Sequence, residues 1–307
     1  MTIGAEAFGR VAVLMGGWAA ERDVSLVSGQ AVLEGLLKRG VDAHGIDAGR
    51  DVLGVLSGGD FDRVFNVLHG RGGEDGQLQG GLDVLGLPYT GSGVLGSAIG
   101  MDKYRSKLLF DALDIPTPPF AVIEQERDLE QAAGLGFPLM VKPALEGSSI
   151  GMSRADNSVE LKQAWQAAAK YDSHVFAEAW VHGGEYTAAI LGRRPLPLIK
   201  LETDRAFYDY DAKYVLDDTR YLIPCGLSVE LEQQFQSLAV RAFDAIGATG
   251  WGRVDILVDG QQRPFVIEVN TVPGMTGHSL VPMAAKAVGI EFDELVWQIL
   301  AQTLEVD

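Results

Sequence analysis

Short apolar runs alternate with amphipathic stretches through the first hundred residues. Arg10–Met15 (RVAVLM) is an unbroken apolar run, which predicts a buried parallel strand. Gly16-Gly17 and the polar segment WAAERDVS follow, then a predicted helix from about Ser25 to Lys38 that Gly40 ends. VDAHGID and Phe61–Leu68 (FDRVFNVL) read as further strands, the second running into His69-Gly70-Arg71-Gly72-Gly73-Glu74-Asp75-Gly76. QLQGGLDVLG reads as a helix, and LPYTGSG as a short strand with a Gly-rich exit. Strands alternating with helices predict an open α/β sheet over residues 1–96. Ligands of such sheets bind beyond the carboxyl ends of the strands. Glu21 and His69 both stand just after strand ends and are site candidates, although a loop Glu and a lone His can equally be structural.

Further along, Met101–Leu113 predicts a helix carrying Lys103, Arg105 and Lys107, and DIPTPPF a Pro-rich boundary. Phe137–Lys142 (FPLMVK) is a predicted strand ending in a lysine. After Pro143 comes Glu146-Gly147-Ser148-Ser149-Ile150-Gly151, whose glycines, hydroxyls and close-set N–H groups suit a loop over phosphate. A helix over Leu161–Lys170, a strand over His174–Trp180, another beginning at Glu185, a turn at Arg193–Pro197 and a long helix over Glu230–Ile246 follow. Residues 202–224 are polar, aromatic and aperiodic. A long loop of that kind inside a compact fold is usually functional. A C-terminal helix is predicted over Phe292–Leu304.

The densest chemistry lies in GWGRVDILVDGQQRPFVIEVNTVPGMTGHS. It predicts a hairpin of Gly252–Val258 and Phe265–Asn270 with a turn through Asp259–Pro264. Alternation puts Arg253 and Asp255 on one face, and likewise Glu268 and Asn270. A symmetric turn pairs Val258 with Phe265, Asp255 with Glu268 and Arg253 with Asn270. Two carboxylates facing each other repel unless compensated. Either Arg253 neutralises Asp255 on a solvated face, or the carboxylates and the amide of Asn270 are hard oxygen donors for Mg²⁺ that shares its shell with phosphate.

Composition narrows these options. The chain has 307 residues and a formal charge of −17, which argues against a broad surface for nucleic acid or anionic membrane. One cysteine, Cys225, excludes an intrachain disulfide and a Cys-based metal cluster, and is expected to be a buried thiol. No signal peptide or membrane span is read in the sequence, so a soluble cytoplasmic protein is expected. Lys103, and Lys142 just before the Gly/Ser loop, complete the set a polyphosphate needs: cations, a metal cage and backbone donors. There is no GxxxxGK[ST] and no GxGxxG after the first strand, so neither a P-loop nor a dinucleotide site is expected. Glu178-Ala179-Trp180-Val181 reads either as a nucleoside pocket with free strand-edge amides or as core around Trp180.

Seven segments in order, GGWAAERDVSLVSG, LHGRGGEDGQLQG, YTGSGVLGSAIGMDKYRSKLL, VKPALEGSSIGMS, FYDYDAKY, GWGRVDI and EVNTVPGMTGHSLVPMAA, closely resemble the D-alanine–D-alanine ligases, an ATP-grasp family. The resemblance runs from about Arg10 to the C-terminus. It implies an α/β chain with an ATP-grasp fold and a Rossmann-like N-terminal domain. The expected divisions are 1–96, 97–182 and 183–307, with a lid loop at 202–224. It implies ATP-driven joining of two D-alanines through an acyl phosphate, for peptidoglycan precursors, with two Mg²⁺ or Mn²⁺ ions and a homodimer.

By the same resemblance, Glu21 holds the first D-alanine's ammonium with His69 nearby, and Ser148 and Tyr214 form a pair that closes the site. Lys103, Lys142, Ser149 and Lys213 face the nucleotide phosphates, and Glu178, Trp180, Val181 and Glu185 the adenosine. Asp255, Glu268 and Asn270 hold metal, and Arg253 with the Gly274 N–H meets the oxyanion. Ser279 and Leu280 hold the second D-alanine's carboxylate. Trp18, Ala19, Ala179 and EVNTVPG depart from the family's commoner residues without touching these positions. Relatives that make D-alanyl–D-lactate tend to alter the loop tyrosine, so Tyr214 favours the dipeptide. A ligase with D-lactate or D-serine as second substrate is the alternative.

Overall fold

The computed structural model describes residues 3–203 and 219–304. Three sheets organise the chain. The first holds β1 (Arg10–Gly16), β2 (Asp42–Ala48) and β3 (Arg63–Asn66) in the parallel order β2-β1-β3. The β1 run is buried over all but its first residue, as an apolar run between two helical layers should be. Helices α1 (Arg22–Lys38), α2 (Val52–Ser57) and α3 (Gln77–Leu85) make the crossovers. The expected strands at 61–68 and 87–93 are cut back. Only Arg63–Asn66 pairs regularly, and the second is a single bridge, Val64 to Tyr89.

The helix expected over Met101–Leu113 is present from Lys103 on, and a separate helix that the sequence did not announce precedes it. Asp102 is extended between α4 (Val94–Met101) and α5 (Lys103–Ala112), and its carboxylate accepts the Arg105 N–H at 2.9 Å. A side chain that caps a helix start favours a break over continuation. Lys103 thereby opens a new helix and reaches inward rather than lying mid-surface.

The second sheet has the order β4-β7-β5-β6, from β4 (Phe120–Ile123), β5 (Leu139–Pro143), β6 (Ser153–Ala155) and β7 (Val175–Ala179), all antiparallel. Helices α6 (Leu129–Ala133) and α7 (Ser158–Ala168) pack on it over a small core of Leu139, Val141, Leu161 and Val175. The third sheet runs β11-β10-β8-β12-β13, with β8 (Gly183–Leu191), β10 (Ile199–Thr203), β11 (Thr219–Leu222), β12 (Trp251–Asp259) and β13 (Pro264–Asn270). The short β9 (Arg194–Pro195) pairs with β8. Helix α8 (Val229–Ala245), begun by the Ser228 cap, covers this sheet with Phe235, Leu238 and Phe243. The segment expected to be a loop over 202–224 is strand at both ends. Glu202 pairs with Arg220, and Thr203 with Thr219.

The last two helices, α9 (Leu280–Ala287) and α10 (Phe292–Ala301), return to the first sheet. Phe8 meets Trp297 edge-on with ring centroids 4.8 Å apart, and Arg39 pairs with Glu294 at 2.7 Å. One core thus joins Val32 and Leu36 of α1 to Leu295, Val296 and Ile299 of α10. Cys225 is buried in the core under α8.

Candidate active site

The hairpin of β12 and β13 carries the centre of the site. Arg253 faces Asn270, and Asp255 faces Glu268, as alternation predicted. Past Asp255 the register shifts by one, so Val258 faces Pro264 and not Phe265. The extra residue on β13 is a bulge that puts Ile267 beside Glu268 on the cavity side, while Val266 and Val269 point into the core. A bulge re-aims side chains in just this way.

Asp255 is enclosed by donors. Arg253 makes two bonds to it, at 2.8 and 2.7 Å, the Asn270 amide donates at 3.1 Å, and Thr187 of β8 donates its hydroxyl at 2.6 Å. Arg253 therefore holds Asp255, the first of the two roles open to it from the sequence. Lys103 donates to the Glu146 carbonyl at 2.7 Å and stands 3.4 Å from the Glu268 carboxylate. Two carboxylates and an amide on one sheet face are hard donors that leave coordination positions for phosphate oxygens, so this set fits Mg²⁺. Among the described residues no cluster of three His, Cys, Asp or Glu side chains gathers elsewhere for a metal.

Two cavities meet at Glu268. The larger, about 540 Å³, lies between the second and third sheets and is bordered by Lys142, Ser149, Glu178, Trp180, Val181 and Glu185. The smaller, about 100 Å³, is bordered by Glu21, His69, Ser148, Arg253, Asn270, Gly274, Ser279 and Leu280. Glu268 borders both, and the successive residues Ser148 and Ser149 face one each, so the Gly/Ser loop is the partition. Both serines have left-handed backbones, φ 52° and 60°, which turns them to opposite sides.

In the larger cavity, Lys142 and Lys107 both contact Glu178. The expected free strand-edge amides are only partly there: Ala179 N–H is bonded to Pro119 and Trp180 N–H to Pro138. Trp180 faces the cavity with Arg154 over its ring, 5.0 Å away, so it is not core.

In the smaller cavity Glu21 is buried between glycines. A Cβ at Gly70 or at Gly147 would lie 2.6 Å from a Glu21 carboxylate oxygen, so a side chain at either would displace that carboxylate. His69 Nδ1 donates to the Val272 carbonyl at 2.9 Å, leaving Nε2 to face the Ser28 hydroxyl at 3.4 Å. Burial lowers its pKa to about 4, and Arg253 adds to this, so the ring is neutral. Burial raises nearby Glu74 to about 8, helped by the charge of Glu21, which keeps it mostly protonated at neutral pH. Ser279 starts α9 and accepts the Thr276 N–H at 2.9 Å. Lys213 and Tyr214 lie outside the described residues.

The sequence reading assigned no role to Thr187, Glu74 or Lys107. Lys107 had a signal, since it is four residues after Lys103 on one helix face. Thr187 had none, because its strand meets Asp255 only through a pairing 68 residues away in sequence.

Family models described as D-ala D-ala ligase N-terminus and D-ala D-ala ligase C-terminus match residues 54–92 and 109–301. The chain is 58% identical over 301 residues to the D-alanine–D-alanine ligase of Nitrosococcus oceani, covering 98% of this chain and 95% of that one. This chain belongs to the D-alanine–D-alanine ligase family. It is also 60% identical over 297 residues to the ligase of Methylococcus capsulatus, with 96% of each covered. Among solved structures, the Bacillus anthracis D-alanine–D-alanine ligase complexed with ATP superposes with a TM-score of 0.85 at 31% identity, over 96% of this chain and 97% of that one. VanG, a D-Ala:D-Ser ligase of Enterococcus faecalis, has a TM-score of 0.84 at 29% identity, over 96% and 99%. The fold is that of the ATP-grasp ligases, and the chain is a ligase of this family.

Proposed function

We propose that the protein joins two D-alanines to D-alanyl-D-alanine, converting ATP to ADP and phosphate, as a step toward peptidoglycan precursors. The observation that carries this is the junction at Glu268. A nucleotide-sized cavity and a small polar cavity share this one carboxylate, separated only by a Gly/Ser loop. A γ-phosphate coming from the larger side would there meet a carboxylate held on the smaller side. That the Bacillus anthracis relative is solved complexed with ATP supports nucleotide use by this fold, and the larger cavity is the one of nucleotide size.

The chemistry follows from these placements. A carboxylate is a poor electrophile, so activation by phosphorylation must come first. Glu21 holds the first D-alanine's ammonium, and an oxygen of that D-alanine's own carboxylate attacks the γ-phosphorus as the bond to ADP breaks. Lys103, Lys142 and Ser149 position the phosphates, while Trp180, Val181, Glu185 and Glu178 form the adenosine end. Asp255, Glu268 and Asn270 would hold Mg²⁺ or Mn²⁺, two ions in the full site, and bound metal there would supply positive charge opposite the transferring group. The second D-alanine is held by Ser279 and Leu280. Its neutral amine attacks the acyl carbon, and Arg253 and the Gly274 N–H stabilise the oxyanion before phosphate leaves. Ser148, with Tyr214 and Lys213 from the lid at 202–224, closes the site and shields the acyl phosphate from water.

In this reading, residues 1–96 supply the first amino-acid site. Residues 97–182 and 183–307 are the two jaws around the nucleotide. The chain acts as a homodimer. Helices α2 and α4 flank α3 and leave Leu53, Val84, Leu85 and Leu95 exposed, an apolar face that a second copy would cover. No helix among the described residues is long and apolar enough to cross a membrane. The need for ATP assigns the enzyme to the cytoplasm.

The test is phosphate release from purified protein with D-alanine, ATP and Mg²⁺, followed by product mass. Release that needs all three, with a product of dipeptide mass, is expected. No release refutes the assignment, and an ester or mixed dipeptide formed in preference with D-lactate or D-serine present corrects the second substrate.

A further inference from the structure

Behind the larger cavity, Glu178 and Lys142 continue into a buried ionic chain whose innermost member, Lys107, has no part in the reaction scheme. Lys107 of α5 has no exposed surface and does not border the cavity. Its Nζ lies 2.9 Å from Glu178 Oε2 and donates to the Thr117 hydroxyl at 2.5 Å. Thr117 in turn donates to the Val266 carbonyl of β13 at 2.8 Å. The ring of Phe120 is 5.2 Å from the ammonium and closes its remaining side. The other Glu178 oxygen contacts Lys142, which does border the cavity.

The charge balance is what makes Lys107 matter. Lys142 paired with Glu178 alone would be a neutral unit, and a neutral unit attracts no phosphate. A second ammonium behind the carboxylate leaves the trio with one net positive charge, and only Lys142 can present it to the cavity. We propose that Lys107 is a positioning residue for the nucleotide: by holding Glu178 from behind, it frees the charge of Lys142 for the phosphates. This deepens the nucleotide reading of the larger cavity and rests on it. Burial pushes the Glu178 carboxyl up, but the two lysines outweigh burial and hold it below the usual carboxylate range, while burial pulls the Lys107 ammonium down against the opposing pull of Glu178.

The alternative is that Lys107 merely neutralises a buried acid and stabilises the fold. Calorimetric titration of the full chain with ADP and with adenosine separates the two, because only ADP carries phosphates. In Lys107→Met, the ratio of ADP to adenosine affinity should fall about tenfold, as expected for one unit charge acting through a protein interior. Adding Glu178→Gln removes the carboxylate that quenches Lys142, so the double variant should return to the wild-type ratio. Glu178→Gln alone should exceed it. Removing one partner of a buried pair can unfold a protein. If Lys107→Met does not fold, the comparison of wild type, Glu178→Gln and the double variant still decides. A ratio unchanged across the variants, or ADP and adenosine losing affinity together, overturns the proposal. If wild type binds neither probe, the nucleotide reading itself is wrong.

Discussion

Glu178 and Glu74 are the same side chain, each largely enclosed at the wall of one of the two cavities, and they carry opposite charge states. Glu178 has an ammonium at each oxygen and is held ionised against burial. Glu74 accepts one backbone N–H from Gly70, at 2.8 Å, and has Glu21 for a neighbour, so burial protonates it. The side chain does not fix the charge; the partners behind it do. At the larger cavity, Lys107 behind Glu178 leaves the charge of Lys142 unquenched on the cavity side. The smaller is kept quiet, with His69 neutral, Glu74 protonated and Asp255 fully paired. A zwitterionic amino acid suits such a site, with Glu21 placed for its ammonium.

The contrast can be broken most severely where the cavities meet. Glu268→Ala removes the shared carboxylate, and turnover should drop by about 10²–10³-fold or more, the range for losing a preorganised electrostatic group. Comparable phosphate release by the variant would show that the junction is not the reaction centre. Breaking the smaller cavity alone is the next largest effect. In Gly147→Ala the new methyl would crowd the Glu21 carboxylate. We expect kcat/KM for D-alanine to fall about 10–100-fold, as misplacement of a positioning group does, with ADP affinity unchanged. Equal loss for both ligands would mean that the loop does not partition the site.

Titration sharpens the comparison further. Glu74 has a folded pKa of about 8, above its unfolded value, so its contribution to stability is full at low pH and is lost as pH rises toward 8. His69, lowered to about 4, works the other way: stability rises with pH until its unfolded value near 6.5 is passed. Above about pH 6.5 only the Glu74 trend remains. Between pH 6.5 and 8, Glu74→Gln should therefore flatten a decline on the order of 1–2 kcal/mol in urea-derived stability. An identical pH slope in variant and wild type would show that Glu74 is ionised in the fold. The smallest effect belongs to the exposed Arg71–Glu146 pair, at 2.7 Å, which links the loop after β3 to the partition. Arg71→Ala should cost at most about 1 kcal/mol by thermal denaturation, since exposed pairs contribute little. A larger loss would make the pair a latch in its own right.

The sequence was most informative where alternation and position act locally. Parity put Arg253 with Asp255 and Glu268 with Asn270, an assumed symmetric turn set the two pairs against each other, and Glu21 and His69 were picked out by standing after strand ends. It failed where the answer depends on a distant partner. Nothing in VIEVN announces the bulge at Ile267, because the register is set by pairing with β12 and packing under α8. The helix α9 went unread in the sequence; it holds Pro282 in its first turn, where a missing N–H has no intrahelical partner to lose. The charge of Glu74 was equally illegible, since burial is a property of the whole fold. Both ends of the 202–224 segment became strand because each supplies the other's hydrogen bonds.

The return of α10 to α1 has a consequence for how the chain is made. Synthesis delivers β1, α1 and β2 early, but the apolar stripe of Val32 and Leu36 finds Leu295, Val296 and Ile299 only after the two other sheets have been made. The first layer must wait, with part of its core uncovered, for about 250 further residues to leave the ribosome, some tens of seconds at ordinary synthesis rates. Truncation by even the final helix would therefore unmake the beginning of the protein rather than its end.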